Sequence, residues 1–114
     1  MGQYRAIRKI RRVSVTFSDG KAEYQGTSSD FSFTGLFIRT RKPFPQGTHL
    51  KMVLELDVNR RITLTGVVAR SIKTRVIDFK NGMGVRIKPI TEEYKEFLKE
   101  LFVQKIENDS GSND

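Results

Sequence analysis

The sequence predicts a small, mostly β fold: an antiparallel β-barrel of about six strands with one C-terminal α-helix. Three observations lead to this prediction. Apolar and polar side chains alternate over several short segments, turn residues recur between these segments, and one apolar stripe with helical spacing follows Pro89. A chain of 114 residues is long enough for one domain with one modest core.

The first strands lie before the proline-rich segment. Residues 13–17 alternate between apolar and polar side chains, as in a half-buried strand. The sequence SDGK at 18–21 is typical of a turn, so residues 22–27 can return antiparallel. Residues 31–40 are rich in aromatic and β-branched side chains and predict another strand. Two prolines and a glycine in 41–49 then predict a loop.

The later strands follow the same alternation and are separated by polar turns that contain asparagine. They are a strand at 50–56, a turn at 57–61, a strand at 62–68, a strand around 75–79, a hairpin turn at 80–82 and a last strand at 83–87.

A helix is predicted after Pro89. Thr91 is suited to cap its N-terminus, and the two acidic residues that follow are favoured there by the helix dipole. The chain is therefore divided into a flexible basic arm at 1–12, a folded region at 13–106 and a disordered tail at 107–114. The apolar stripe of the helix should cover one end of the β structure; it consists of Tyr94, Phe97, Leu98, Leu101 and Phe102.

Composition favours binding over catalysis. Twenty-one lysines and arginines against 13 acidic residues leave a net charge of +8, which favours an anionic partner. The absence of cysteine excludes disulfides and thiolate metal sites and fits a cytoplasmic protein. We find no secretion signal, membrane segment, phosphate-binding loop or metal-ligand spacing, and His49 has no catalytic companion. The sequence thus predicts neither an enzyme nor a bound cofactor.

The first candidate motif is the pair Arg8 and Arg12 in the segment RKIRR. In an extended chain, residues four apart point the same way, so both guanidinium groups could face one ligand. The guanidinium fork fits phosphate oxygens or the O6/N7 edge of guanine. The alternative is a solvated basic arm.

The second candidate motif is DFSFTG at 30–35. Strand alternation would place Asp30 and Ser32 together on the outer face, with Phe31 and Phe33 pointing into the core. A carboxylate only accepts hydrogen bonds, so it suits the N1–H and N2–H donors of guanine. Gly35 could allow a positive φ or a close approach of the backbone to a ligand. The alternative is a polar strand edge that ends in a turn.

In this order, the two motifs resemble those of the PilZ domain, a bacterial receptor module for cyclic di-GMP. Residues 35–56 are similar to the family's third strand, proline-containing loop and fourth strand. Residues 81–87 are similar to the Gly-apolar-Gly-Val segment of its last strand, and the helix falls where the family has one. The resemblance covers residues 8–103.

The resemblance implies a role for each motif residue. Arg8 and Arg12 would contact the phosphates and guanine Hoogsteen edges of cyclic di-GMP. Asp30 would read a Watson–Crick edge, Ser32 would add a hydrogen bond, and Gly35 would shape the turn.

Three further residues bear on this expectation. Arg11 is an additional candidate helper, although its side chain should face away from that of Arg12 in an extended segment. Thr34 stands where the family often has a second small glycine, and Phe33 is bulky. Both could alter the shape of the loop.

The basic arm suggests a mechanism. Five positive charges in residues 1–12 repel one another, so the arm should be mobile without ligand and fold over an anionic ligand. The rearranged arm would then signal to a protein partner whose identity the sequence does not indicate, and the protein would be a monomer or homodimer.

Two other binding functions stay open. Small basic β-barrels also bind single-stranded nucleic acid, although the phenylalanines here alternate in phase with the predicted core, which argues against a stacking platform. An adaptor that contacts only proteins would bind no nucleotide.

Overall fold

A closed six-stranded antiparallel barrel forms the body of the protein, and one C-terminal helix follows it. The computed structural model describes residues 11–75 and 81–111, with side chains as far as Leu101. Around the barrel, the strands follow the order β1-β2-β3-β6-β5-β4. The prediction of a small antiparallel barrel with a C-terminal helix is therefore confirmed. The elements are β1 (Val13–Ser18), β2 (Glu23–Phe31), β3 (Gly35–Arg39), β4 (His49–Asp57), β5 (Arg60–Ile72), β6 (Gly82–Ile87) and α1 (Glu92–Gly111).

Several boundaries differ from the sequence prediction. The strand predicted at 31–40 is divided, because β2 continues to Phe31 and β3 begins only at Gly35. The strand predicted around 75–79 falls almost entirely outside the described residues. The helix continues to Gly111 and so includes 107–111, the first part of the predicted disordered tail. Helix propagation adds one hydrogen bond per residue once a helix has formed, which favours this extension.

The barrel interior is filled by the inward side chains of all strands except β2, whose inward residues are small or only partly buried. Fully burying one large aliphatic or aromatic side chain contributes about 1.5–3 kcal/mol to folding. The buried apolar residues of the strands are Val13, Val15, Phe17, Leu36, Ile38, Leu50, Met52, Leu54, Leu56, Ile62, Leu64, Val68, Met83, Val85 and Ile87.

Helix α1 closes one end of the barrel. The Thr91 hydroxyl accepts a hydrogen bond from the backbone N–H of Tyr94 at 3.1 Å, which caps the first turn as predicted. Tyr94 and Phe97 are completely buried, and the Phe97 ring meets that of Phe31 edge to face at 5.0 Å. The opposite end is packed with the rings of Phe17, Tyr24 and Phe44.

Within the described ranges, no helix has the length and apolar character that a bilayer crossing requires.

Candidate ligand-binding groove

A groove of about 360 Å³ lies on the outer surface of the barrel, across β2, β3, β6 and β5. Its volume is within the usual range for small-molecule sites. Three predicted site residues line it, Asp30, Ser32 and Gly35. Two arginines that the sequence analysis did not single out, Arg70 and Arg86, line it as well. We call this surface the outer groove.

A β-bulge in β2 turns Asp30 toward the groove. Thr27 pairs with Arg39 and Asp30 pairs with Phe37, so three steps along β2 match two along β3. Ser28 is fully buried, and strict alternation from it would point Asp30 into the core. The extra residue instead exposes the carboxylate. It also turns the next side chain inward onto the helix, as predicted for that position.

A second bulge, in β5, does the same for Arg70. Val68 pairs with Val85 and Arg70 pairs with Gly84, so Ala69 is the extra residue. Val68 is buried, whereas Ala69 and Arg70 are both exposed. The sequence does carry a signal for this bulge: an arginine two residues after a core valine cannot remain on the inner face without a partner.

Ser32 and Gly35 form a tight turn between β2 and β3. The Ser32 N–H donates to the Gly35 carbonyl at 2.8 Å, and the Gly35 N–H donates to the Ser32 hydroxyl at 3.2 Å. Strand alternation stops where this turn begins, so the placement of Phe33 in the core is wrong: its side chain is 61% exposed at the turn. Ser32 therefore borders the groove from the turn, beyond the end of β2.

Helix α1 holds this turn through a buried hydroxyl. The Tyr94 O–H lies 2.6 Å from the Ser32 carbonyl oxygen and 3.1 Å from the Gly35 carbonyl oxygen, to which it donates. Burial raises the pKa of Tyr94 well above its ordinary value, so the hydroxyl stays protonated as a donor. The helix predicted only as a cover for the core thus also fixes the edge of the groove.

Removing this hydroxyl should loosen the turn. We expect Tyr94→Phe to lower the free energy of unfolding by about 1–3 kcal/mol, because it leaves the Ser32 carbonyl without its buried donor. Chemical denaturation measures the change. Tyr24→Phe is the matched control, because that hydroxyl makes no hydrogen bond within the described part of the chain. Equal stability of the two variants would show that the hydroxyl does not hold the turn.

Gly35 is required for strand packing. Its φ is not positive, since the glycines with positive φ in the described residues are Gly20 and Gly47. A Cβ built on Gly35 would overlap the backbone carbonyl oxygen of Val85 in β6. Of the two expected roles, positive φ is therefore wrong, and the close approach to a ligand stays a prediction. The close approach seen in the structure is between the β3 and β6 backbones.

The side chains of Arg11 and Arg12, just before β1, have different surroundings, as predicted for neighbouring residues of an extended segment. The Arg11 guanidinium donates to the Leu56 carbonyl at 3.0 Å and lies 5.5 Å from the centre of the Phe97 ring, at the helix-covered end. Arg12 is exposed and makes no side-chain hydrogen bond or ion pair with any described residue. It does not line the outer groove. Arg8 lies outside the described residues.

The charged groups of the groove are uncommitted. In the described ranges, the side chains of Asp30, Arg70 and Arg86 form no ion pair or hydrogen bond. The ion pairs that do occur there lie elsewhere, and they are Arg60–Glu100, Arg61–Glu55 and Lys95–Glu92. Among the described residues, the groove therefore presents one carboxylate and two guanidinium groups without partners to a ligand.

Comparison with known proteins agrees with this fold. The Bacillus subtilis inhibitor of motility, MotI/DgrA, has a solved structure that superimposes with a TM-score of 0.70 at 18% identity. The match covers 89% of this chain but 50% of that one, so this chain spans half the length of its structural neighbour. No curated protein matches this sequence.

The sequence model of the PilZ domain matches residues 4–104, which is most of the chain. PilZ is a family of receptor domains for cyclic di-GMP and not a family of enzymes. With this match and with the barrel and the helix in agreement, this chain belongs to the PilZ domain family.

Proposed function

We propose that this protein is a cytoplasmic receptor that binds cyclic di-GMP in the outer groove and signals to a protein partner. The observation that carries the proposal is the convergence of the second motif with two uncommitted arginines on one surface. Two phosphates and two guanines need cations and a hydrogen-bond acceptor, and the groove offers both.

In this proposal, Asp30 accepts hydrogen bonds from the N1–H and N2–H of a guanine. Ser32 mainly shapes the turn, because its hydroxyl already accepts the Gly35 N–H. The Ser32 hydroxyl donates to the Gly35 carbonyl oxygen at 3.2 Å, and this proton can turn instead to a ligand oxygen. Arg8 and Arg12 bring phosphate and guanine contacts from the arm, whereas the contacts of Arg11 support a packing role.

One observation favours the alternative function, binding of single-stranded nucleic acid. Phe33 is exposed at the turn and Phe37 lies on the groove floor, so two aromatic rings face outward. The argument that every phenylalanine points into the core therefore fails. Stacking of bases on outward rings in a basic groove is a common mode of single-strand binding.

Isothermal titration calorimetry tests the proposed function against this alternative. We expect saturable binding of cyclic di-GMP and much weaker binding of cyclic di-AMP, because adenine lacks the N1–H and N2–H donors that Asp30 would accept from. We expect GTP to bind much more weakly too. A single-stranded oligonucleotide should not compete. Tight oligonucleotide binding without cyclic di-GMP binding would overturn the proposal in favour of the alternative.

We further propose that the ligand orders the N-terminal arm and that the partner reads the ordered arm. Arg8 and Arg12 would form charge-assisted hydrogen bonds with phosphate oxygens, each worth about 1.5–3 kcal/mol. These bonds would offset the conformational entropy that the arm loses when it becomes ordered. Hydrogen exchange on amides 5–12 should therefore slow when cyclic di-GMP is added, with little change in the strands. Protection that is the same with and without saturating ligand would rule out the switch.

A further inference from the structure

The floor of the outer groove is a row of four residues that runs across four strands. Asp30 pairs with Phe37, Phe37 pairs with Gly84, and Gly84 pairs with Arg70. Directly paired residues point to the same face of a sheet, so all four lie on the outer surface. With strands about 4.8 Å apart, the acid and the arginine that end the row are separated by about 14 Å along the sheet.

The arginine at the far end lies across the strand beside it. A Cβ built on Gly84 would be 3.4 Å from Cγ and 3.6 Å from Nε of Arg70. The Arg70 side chain therefore occupies the space above β6 that a larger residue at position 84 would fill. Its guanidinium has no partner among the described residues, so it is free for a ligand.

The centre of the row is apolar. Phe37 points outward but is only half-exposed, and a Cβ at Gly82 would lie 2.8 Å from two of its ring carbons. The ring is thus supported by a bare stretch of β6 backbone. A flat, partly exposed ring between an acid and an arginine is suited to the face of a nucleobase whose polar edge points to the acid.

On these grounds, and resting on the proposed function, we infer that the groove holds its ligand in a fixed direction. One guanine lies against Phe37 with its donor edge on Asp30, and a phosphate of the same ligand is held by Arg70 together with Arg86 of the neighbouring strand β6. Arg86 pairs with Gly35 next to this row and lines the same groove. Arg70 is therefore a phosphate-binding residue outside both sequence motifs, and Gly84 keeps its path open.

The inference assigns different losses to the two ends of the row. We expect Arg70→Ala to weaken cyclic di-GMP binding by about ten- to a hundredfold, the cost of a charge-assisted contact, and to reduce the salt dependence of binding. The preference for cyclic di-GMP over cyclic di-AMP should not change. Asp30→Ala should show the converse, with a loss of guanine preference and no reduction in the salt dependence. Calorimetric titrations at low and high salt measure both.

Arg61→Ala is the matched control, because it removes one exposed arginine from the same strand outside the groove. Its binding should stay within about twofold of the unmodified protein, since surface ion pairs contribute little. Gly84→Val is a second test that leaves the charge unchanged: its branched side chain should displace Arg70 from β6 and weaken binding by about tenfold.

Each outcome separates this inference from the proposed function. If Asp30→Ala loses guanine preference while Arg70→Ala and Gly84→Val bind like the control, the ligand does not reach Arg70 at the far end of the row. The inference is then wrong and the proposed function stands. If the unmodified protein binds no cyclic di-GMP, both are wrong. If cyclic di-GMP binding is weakened in both Arg70→Ala and Gly84→Val while the preference for guanine is retained, the fixed direction of the ligand is supported.

Discussion

Replacing Gly35 with alanine is expected to destabilise the barrel severely, by about 3 kcal/mol or more. The added Cβ would overlap the Val85 carbonyl, and a backbone atom in a paired strand cannot move aside as a flexible side chain can. That loss is a large fraction of the stability of a small domain. Thermal and chemical denaturation measure it.

Gly84→Ala is the matched control for this substitution. Its Cβ would meet only the Arg70 side chain, at the 3.4 Å of an ordinary contact. We expect its stability to stay close to that of the unmodified protein. If both alanine variants had the same stability, strand packing would not be the reason for glycine at position 35. A binding defect in a Gly35 variant should accordingly be interpreted as a defect of folding.

Replacing Asp30 with alanine is expected to weaken cyclic di-GMP binding by at least about ten- to a hundredfold, because each matched hydrogen-bonded pair is worth about 1–3 kcal/mol. Stability should be almost unchanged, since the carboxylate is exposed and has no partner in the described part of the chain. Glu23→Ala removes another exposed acid from the same strand and should leave binding intact. Tighter binding by Asp30→Ala would instead indicate a ligand held by bulk positive charge.

Alternation of side chains was sufficient to predict most of the barrel, because an inward face filled with aliphatic residues leaves little freedom in register. It was not sufficient at the groove. There, two bulges each add one residue and reverse the alternation. Strict alternation along β5 would point Arg70 into the core, whereas the bulge turns it outward. The outward position of Asp30 was predicted correctly, but the same reasoning wrongly buried Phe33, because the strand ends before it.

Contacts between residues far apart in the chain could not be predicted from the sequence either. Tyr94 was correctly assigned to the apolar stripe, yet its hydroxyl reaches a carbonyl 62 residues earlier in the chain. Nothing in the local pattern of a helix indicates which turn its hydroxyl will meet. The packing role of Arg11 likewise depends on Leu56 and Phe97, which only the closed barrel brings next to it.

The central claim is that the outer groove is where this protein binds cyclic di-GMP. An NMR titration of the ¹⁵N-labelled protein tests it most directly, because each backbone amide reports its own surroundings. We predict saturable shifts concentrated at amides 29–37, 69–70 and 83–86 and in the arm at 5–12, with amides 14–16 and 51–55 on the other side of the barrel unchanged. Saturable shifts centred on 14–16 and 51–55, or no shifts with excess ligand, would contradict the account.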